Sequence, residues 1–219
     1  MVAGAVARPR ATPEPRVRAL RRMERVMTKR RVLIAELREQ DLPFLFELWH
    51  TPEVMRYADE FPRLRGWSKS DDLRTAWARY REKRAALGKG YTQLILSLVD
   101  GMLIGESFFM PLPEGYTFGK WKKPEDMVCL MGDIKLKPEY WGQGLGTEGM
   151  QQAVEWLFGN TVCSLLVVPP HRKNPAAQRV YEKAGFELYR GMRSWHNHKV
   201  MELGRERYES ISSERERAC

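Results

Sequence analysis

The chain has 219 residues, 43% of them hydrophobic, which is enough for one domain with a full core. Its formal charge of +9 sits almost wholly in residues 1–31, where ten Lys/Arg meet two acids; the rest is near neutral, which argues against a nucleic-acid-binding domain. No apolar run reaches the roughly eighteen residues of a membrane span, and Cys129, Cys163 and Cys219 form no C-x-x-C pair, reading as small hydrophobes of a reducing cytosol.

Residues 1–30, with Pro9, Pro13 and Pro15 among arginines, bury little and are expected to be disordered. They read as a solvated extension, as sequence ahead of an internal start at Met27, or as an Arg-rich, acid-poor targeting peptide. Arg31 to Leu37 reads as a first strand. Asp41 can cap a helix carrying Leu42, Leu45, Phe46 and Trp49, which Thr51-Pro52 interrupts before a second segment, Glu53 to Ala58. A loop through Phe61 and Trp67 follows, and Ser68 to Asp71 resembles a capping box opening a helix to Leu87, stopped by Gly88 and Gly90. Tyr91 to Val99 and Met102 to Met110 predict a hairpin across Asp100-Gly101, with Leu94, Leu96 and Leu98 on one face and Gln93, Ile95, Ser97 and Val99 on the other. Pro111 to Met127 is a long loop holding Tyr116, Phe118 and Trp121. After it come a strand, Val128 to Leu136, a helix with Met150, Val154, Leu157 and Phe158 at helical spacing, and a strand, Cys163 to Val168. Asn174 caps a short helix with Pro175 at its first position and Gly185 past its end. Phe186 to Tyr189 and Lys199 to Leu203 would be closing strands, and Gly204 to Cys219 a charged helical or frayed tail. The order predicts mixed α/β with helices on both sheet faces.

The stretch Trp141-Gly142-Gln143-Gly144-Leu145-Gly146-Thr147-Glu148 lies between a strand and a helix start. That arrangement presents several backbone N–H groups to a phosphate, and glycine lets the backbone approach and take positive φ. No Lys-Ser/Thr follows Gly146, which excludes a Walker loop, and glycines at 142, 144 and 146 do not have dinucleotide-fingerprint spacing. Some thirty residues later the helix from Asn174 to Phe186 places Asn174, Ala177 and Tyr181 on one face, because seven residues make about two turns.

Together the strand through Leu136, the loop from Trp141 to Gly146 and the helix from Asn174 to Phe186 resemble the GNAT superfamily of acyl-CoA N-acyltransferases. The resemblance is specific over Val128 to Phe186 and looser back to Arg31. It implies a GNAT-like fold, α/β (mixed α+β), with a central, mostly antiparallel twisted sheet and helices on both faces. It covers neither the N-terminal arm nor the last dozen residues; composition and the resemblance together divide the chain into a basic extension at 1–30, an acyltransferase domain at 31–207 and a charged tail at 208–219. The family loop reads Arg/Gln-x-x-Gly-x-Gly/Ala; Trp141 in the Arg/Gln slot is similar to the branch of Rim-type N-terminal and small-amine acetyltransferases. The resemblance implies acetyl-CoA as co-substrate. The residues it implies for the cofactor are Ile134, Lys135 and Leu136 on the strand, Trp141, Gly142, Gln143, Gly144, Leu145, Gly146 and Thr147 on the loop, and Asn174, Ala177 and Tyr181 on the helix.

Acyl transfer to an amine needs a proton acceptor, oxyanion stabilisation and protonation of the leaving thiolate. By the resemblance Tyr181 is the acid, although it also continues an apolar stripe with Ala177, Val180 and Ala184. For the base, Asp133 and Glu106 stand out as acids inside apolar strands, with Asp133 preferred; either could instead be a surface acid, and an ordered water could replace both. His196 and His198 without acidic or Cys partners make a poor metal site and read as a solvated strand face; the chemistry needs no metal. His171, Arg172 and Lys173 form a basic turn, which reads equally as a plain solvated turn or as one whose Arg172 and Lys173 reach the ribose phosphate of coenzyme A. The aromatic loops at Phe61 to Trp67 and at Tyr116 to Trp121 would flank the acceptor groove. The expected activity is cytoplasmic acetyl-CoA-dependent N-acetylation of a small-molecule amine or a protein N-terminus, by a monomer or homodimer without membrane or nucleic-acid partners. A non-catalytic acyl-CoA sensor of the same fold is the alternative.

Overall fold

The computed structural model describes residues 30–57, 71–191 and 195–217. The expectations for the N-terminal arm, for the Phe61 to Trp67 loop, for Ser68 to Ser70 and for Cys219 lie outside those residues. The strands are β1 (Val32–Glu36), β2 (Thr92–Leu98), β3 (Leu103–Pro111), β4 (Thr117–Phe118), β5 (Trp121–Lys122), β6 (Cys129–Leu136), β7 (Leu165–Val168), β8 (Glu187–Leu188) and β9 (Met201–Gly204). The α-helices are α1 (Leu42–His50), α2 (Pro52–Met55), α3 (Leu73–Leu87), α4 (Leu145–Asn160), α5 (Pro175–Ala184) and α6 (Arg205–Arg217).

Seven strands form one sheet in the order β1-β2-β3-β6-β7-β9-β8, antiparallel except for β6 and β7. The β2–β3 hairpin closes at Asp100-Gly101, where Gly101 takes φ +90°, a conformation that glycine adopts without steric cost. Helices α4 and α5 cover one face, burying Met150, Val154, Leu157, Phe158 and Tyr181 against Leu94, Phe109, Leu130 and Leu166. Helix α4 lies so close to the sheet that a Cβ on Gly149 would clash with the Leu96 side chain. Helices α1 and α3 cover the other face, where Leu42, Leu45, Trp49, Ala76 and Tyr80 meet Tyr91, Ile95 and Phe108. Both faces of β2 are therefore covered, and Gln93, on the expected polar face, is fully buried.

Local chemistry explains three departures from the sequence reading. Asp41 precedes α1 but makes no side-chain cap to it; its buried carboxylate turns back to accept from the Arg38 N–H at 2.9 Å, closing a short 3-10 turn, Glu39–Asp41. Helix α3 is capped by Asp72, whose carboxylate accepts from the Thr75 N–H at 2.7 Å, while Asp71 pairs with Arg79 at 2.7 Å. The stretch expected as an open loop at 111–127 contains the β4–β5 ribbon, and Phe118 and Trp121 are buried in a core of their own with Leu165, Val167 and Val200. Those two aromatics fill space beneath the chain instead of presenting themselves to a ligand, and the Trp121 indole donates to Glu202 at 3.0 Å.

The C-terminal segment is helical from Arg205 to Arg217. Arg205 donates to the carbonyls of Phe158, Thr161 and Cys163 at 2.8–3.0 Å and lies over the Phe158 ring, so a cation satisfies carbonyls at and beyond the C-terminus of α4. Tyr208 stacks on Phe158 at 4.9 Å. Cys129 and Cys163 are buried, as the composition suggested, and burial raises both thiols, Cys163 to about 11. Among the described residues, no helix is long and apolar enough to cross a membrane.

Candidate active site

The site is organised by a break in sheet pairing. Cys129, Leu130 and Met131 pair in parallel with Leu165, Leu166 and Val167, but β6 continues to Leu136 while β7 ends at Val168. From Gly132 onward β6 keeps its β3 ladder and opens on its other flank into a cleft. The proline at 138 ends the strand, and the chain turns through Pro138–Tyr140 into the glycine loop.

The loop is held from both sides. The Trp141 indole N–H donates to the Leu136 carbonyl at 2.8 Å, and the Gln143 amide donates to the Glu139 carbonyl at 2.8 Å. Arg31 donates through Nη1 to the Gln143 carbonyl at 3.1 Å and through its backbone N–H to Glu148 Oε1 at 2.6 Å, an oxygen that also accepts from the Val32 N–H at 3.0 Å. The first strand is thereby tied to the first turn of α4. Gly142 and Gly144 sit at φ +74° and +81°, in the left-handed region where a side chain is strained. Gly144 is the N-cap of α4 and offers no side-chain cap, so the amides of the first turn are left for another acceptor.

Those amides face a groove of about 640 Å³ between the loop, β6, the segment around α2 and helix α5. Its lining holds Arg56, Lys173, Arg179 and Lys183, with Glu53 as the only acid among the described residues. Helix N-terminus, glycine loop and cations together make an anion site. Most residues expected at the cofactor lie on this groove, namely Ile134, Lys135, Leu136, Trp141, Gly142, Gly144, Gly146, Thr147, Asn174 and Ala177. Three do not line it: Leu145 is buried with Val32, Leu96 and Leu136, Gln143 folds back on Glu139, and Tyr181 lines the adjoining cavity. Asn174 caps α5 by accepting from the Ala177 N–H at 3.1 Å, so its capping and lining roles coexist. Of the basic turn, Lys173 is on the groove and Arg172 is not.

The groove continues into a cavity of about 120 Å³ that shares Val54, Tyr57, Ile134, Lys135, Asn174 and Ala177 with it. Tyr181 and Asp133 both line this cavity. Tyr181 is 3% exposed; burial raises its phenol, the Asp133 carboxylate raises it further, and a hydrogen bond from the Ile134 backbone partly offsets them. The phenol thus keeps its proton and can donate it within the cavity. Asp133 is one-third exposed and pairs with Lys135 Nζ at 2.5 Å.

Glu106 is placed differently. It is fully buried behind Lys135, whose ammonium lies 3.2 Å from Glu106 Oε1, and it accepts from the Trp49 indole at 2.7 Å. It does not line the cavity, because Glu106 and Lys135 are register partners and the lysine stands between it and the cleft.

Two residues read from sequence as solvated belong to the cavity instead. His198 is 1% exposed and His171 is buried; their rings meet edge to face at 5.1 Å, and Tyr57 stacks on His171 at 4.8 Å. The β7–β9 register, Val168 opposite Met201, extends to an isolated bridge between His171 and His198. Continuing the β7–β9 register by three residues brings them together. His196 lies apart from them, exposed, at φ +48°.

Residues 31–187 match the protein-family description "Acetyltransferase (GNAT) domain". The chain belongs to the GNAT acetyltransferases. Solved structures of the same fold include the aminoglycoside acetyltransferase AAC(6')-Ib with paromomycin and acetyl-CoA, at 23% identity and TM-score 0.62 over 82% of this chain and 97% of that one. The same enzyme with ribostamycin and coenzyme A aligns at 24% identity and TM-score 0.63, over 82% and 97%. The Vibrio cholerae spermidine N-acetyltransferase with CoA and spermine aligns at 15% identity and TM-score 0.61, over 81% and 98%. In this GNAT acetyltransferase the expected mixed α/β layout, mostly antiparallel sheet and helices on both faces are all present.

Proposed function

We propose that this GNAT acetyltransferase transfers the acetyl group of acetyl-CoA to a primary amine by direct attack within a ternary complex. The observation that carries the reading is the continuous cleft, which runs from a cationic, glycine-lined anion groove to a cavity lined by both Asp133 and Tyr181. Backbone amides of Gly144 to Thr147 and the cations at Arg56, Lys173 and Arg179 would hold the phosphates, and the open flank of β6 from Gly132 to Leu136 would hold the pantetheine arm.

Asp133, and not the occluded Glu106, is the residue placed to accept the proton of the incoming ammonium, directly or through one water. The amine nitrogen then bonds to the thioester carbonyl carbon, the tetrahedral oxyanion collapses, the C–S bond breaks and Tyr181 donates a hydrogen bond to the leaving sulfur. Because burial holds the phenol proton firmly, stabilisation of the developing thiolate is the main contribution of Tyr181; the first ammonium proton leaves through Asp133 to solvent, and the second leaves the nitrogen as the amide forms and reaches the departing sulfur. Residues 31–207 would carry the activity in the cytosol, with 1–30 as an appended basic segment and the remainder of α6 stacked on the domain through Tyr208.

Native mass spectrometry of the purified protein tests the cofactor, and thiol release from acetyl-CoA across an amine panel tests the reaction. Bound coenzyme A with amine-dependent thiol release is the expected result. Bound coenzyme A without thiol release from any amine would leave an acyl-CoA sensor in place of an enzyme.

A further inference from the structure

Attack of an amine on a thioester puts a negative charge on the carbonyl oxygen, and a donor must be in place to meet it; this inference rests on the acetyl-transfer reading. Lys135 lines both the anion groove and the cavity with Asp133 and Tyr181, so it stands at the junction a thioester lying along β6 would occupy. Its side chain is 5% exposed, and its ammonium is held from two directions, by Asp133 Oδ2 at 2.5 Å and by Glu106 Oε1 at 3.2 Å. Glu106 is itself fully buried and accepts from the Trp49 indole at 2.7 Å, which ties the group back to helix α1. An ammonium carries three N–H donors, and the two carboxylates are its only partners among the described residues, which leaves one donor for a ligand. The carboxylates also differ in what the reaction does to them. Glu106 is shut off behind the lysine, whereas Asp133 lines the cavity and is the group placed to take the proton of the incoming ammonium. Once Asp133 is protonated, its bond to Lys135 weakens from charge-assisted ion pair to neutral hydrogen bond. That happens as the oxyanion forms, so the ammonium exchanges one anion for another while Glu106 keeps it in position.

We propose that Lys135 is a catalytic residue whose third N–H donates to the carbonyl oxygen of the bound thioester and stabilises the tetrahedral oxyanion. No proton passes to that oxygen. As the amine nitrogen bonds to the carbonyl carbon, the C=O π pair moves onto oxygen beside the ammonium, and it returns to carbon when the C–S bond breaks. The infrared carbonyl band of acetyl-CoA, isotopically labelled at the thioester carbon and bound to the full-length protein without amine, reports on this contact. The band should lie at lower wavenumber than in free acetyl-CoA. The double substitution Glu106→Gln with Lys135→Met removes the cation without stranding a buried carboxylate, and it should move the band back toward the free position. Its kcat for amine-dependent thiol release should fall by about 10²- to 10³-fold, the scale of one oxyanion donor, with the acetyl-CoA Kd changed by less than about threefold. Glu106→Gln with Lys135→Gln carries the same comparison if the methionine variant does not fold. A band at the free position in the unaltered protein overturns the role of Lys135 without recourse to any variant. So does a band shifted equally in parent and variant, which assigns the polarisation to another donor, and so does an unchanged kcat. Failure of acetyl-CoA to bind, or binding without thiol release from any amine, overturns the acetyl-transfer reading and this proposal together; thiol release with an unshifted band overturns the proposal alone.

Discussion

Replacing Gly146 by alanine should separate folding from cofactor binding. Gly146 is the second residue of α4, in helical conformation, and an added Cβ would sit 3.5 Å from the Leu136 side chain and 3.6 Å from Val180, ordinary van der Waals distances. The fold therefore accepts the methyl group. Alanine is favoured over glycine inside a helix by up to ~1 kcal/mol, and in the first turn by about half of that. For a domain of this size that corresponds to a rise in Tm of about 1–2 °C. Gly146 also lines the groove in which, on the proposed reading, the first-turn amides would face the phosphates. Losing one charge-assisted hydrogen bond costs about 1.5–3 kcal/mol, hence an acetyl-CoA Kd weaker by about 10- to 100-fold. Thermal melts of the free protein and isothermal calorimetry with coenzyme A measure the two quantities separately. A Kd unchanged from the parent would refute the placement of the phosphates, and a fall in Tm would refute the claim that the fold has room for the methyl. Gly144→Val supplies the contrast: at φ +81° a β-branched residue is strained, so both Tm and affinity should fall.

Tyr181→Phe should lower kcat by about 10²- to 10³-fold, the scale of one lost transition-state hydrogen bond, while leaving the acetyl-CoA Kd nearly unchanged, since the ring still packs against Phe186; a normal kcat in steady-state assays returns the residue to a packing role. Burial raises the phenols of Tyr80, Tyr91, Tyr116 and Tyr181, so above pH ~10 an unfolded chain releases protons that the folded one retains. Their contribution to stability is complete below that pH and is lost as pH climbs through the raised values; the urea midpoint should be lower at pH 10.5 than at pH 8, and an equal midpoint counts against it. Arg205→Ala strips the cation from three carbonyls around the end of α4 and should cost about 2 kcal/mol, read as a Tm lower by about 4–8 °C. A chain beginning at Met27 should keep both its Tm and its turnover, because residues 1–26 contribute charge and little that packs; loss of either moves the boundary of the domain.

The glycine loop and the α5 helix were legible because their information is local. Positive φ at Gly142 and Gly144, the Asn174 cap and the left-handed Gly185 each depend on one or two neighbouring residues. The same holds for the hairpin at Asp100-Gly101. Long-range partnership was what the sequence concealed. Glu106 and Asp133 looked alike as acids in apolar strands, and only the β3–β6 register, which sets Glu106 against Lys135 and Phe108 against Asp133, separates a buried counter-ion from a cavity residue. His198 read as solvated because a lone polar residue beside a strand carries no sign of what faces it; its burial comes from the turn at His171, 27 positions earlier in the chain. Asp41 and Asp72 show the limit of capping rules, since a carboxylate can bond backward as readily as forward and neighbouring aspartates compete for one helix end. Phe118 and Trp121 belong to a core that exists only once β7 and β9 are beneath them.

The flank that β6 exposes beyond Met131 is, in physical character, an edge strand located in the middle of a sheet. Edges at the rim of a protein invite other chains to add on and must be blunted by charge, bulges or brevity. Here the open row of amides and carbonyls is walled by Val54 and Tyr57 on one side and by Asn174 and Ala177 on the other. A slender, unbranched chain with its own amides suits such a walled flank better than a strand from another molecule, which brings its own side chains and sheet. The enclosure turns an aggregation hazard into a filter on ligand cross-section, and it does so with main-chain groups that survive most changes of side chain.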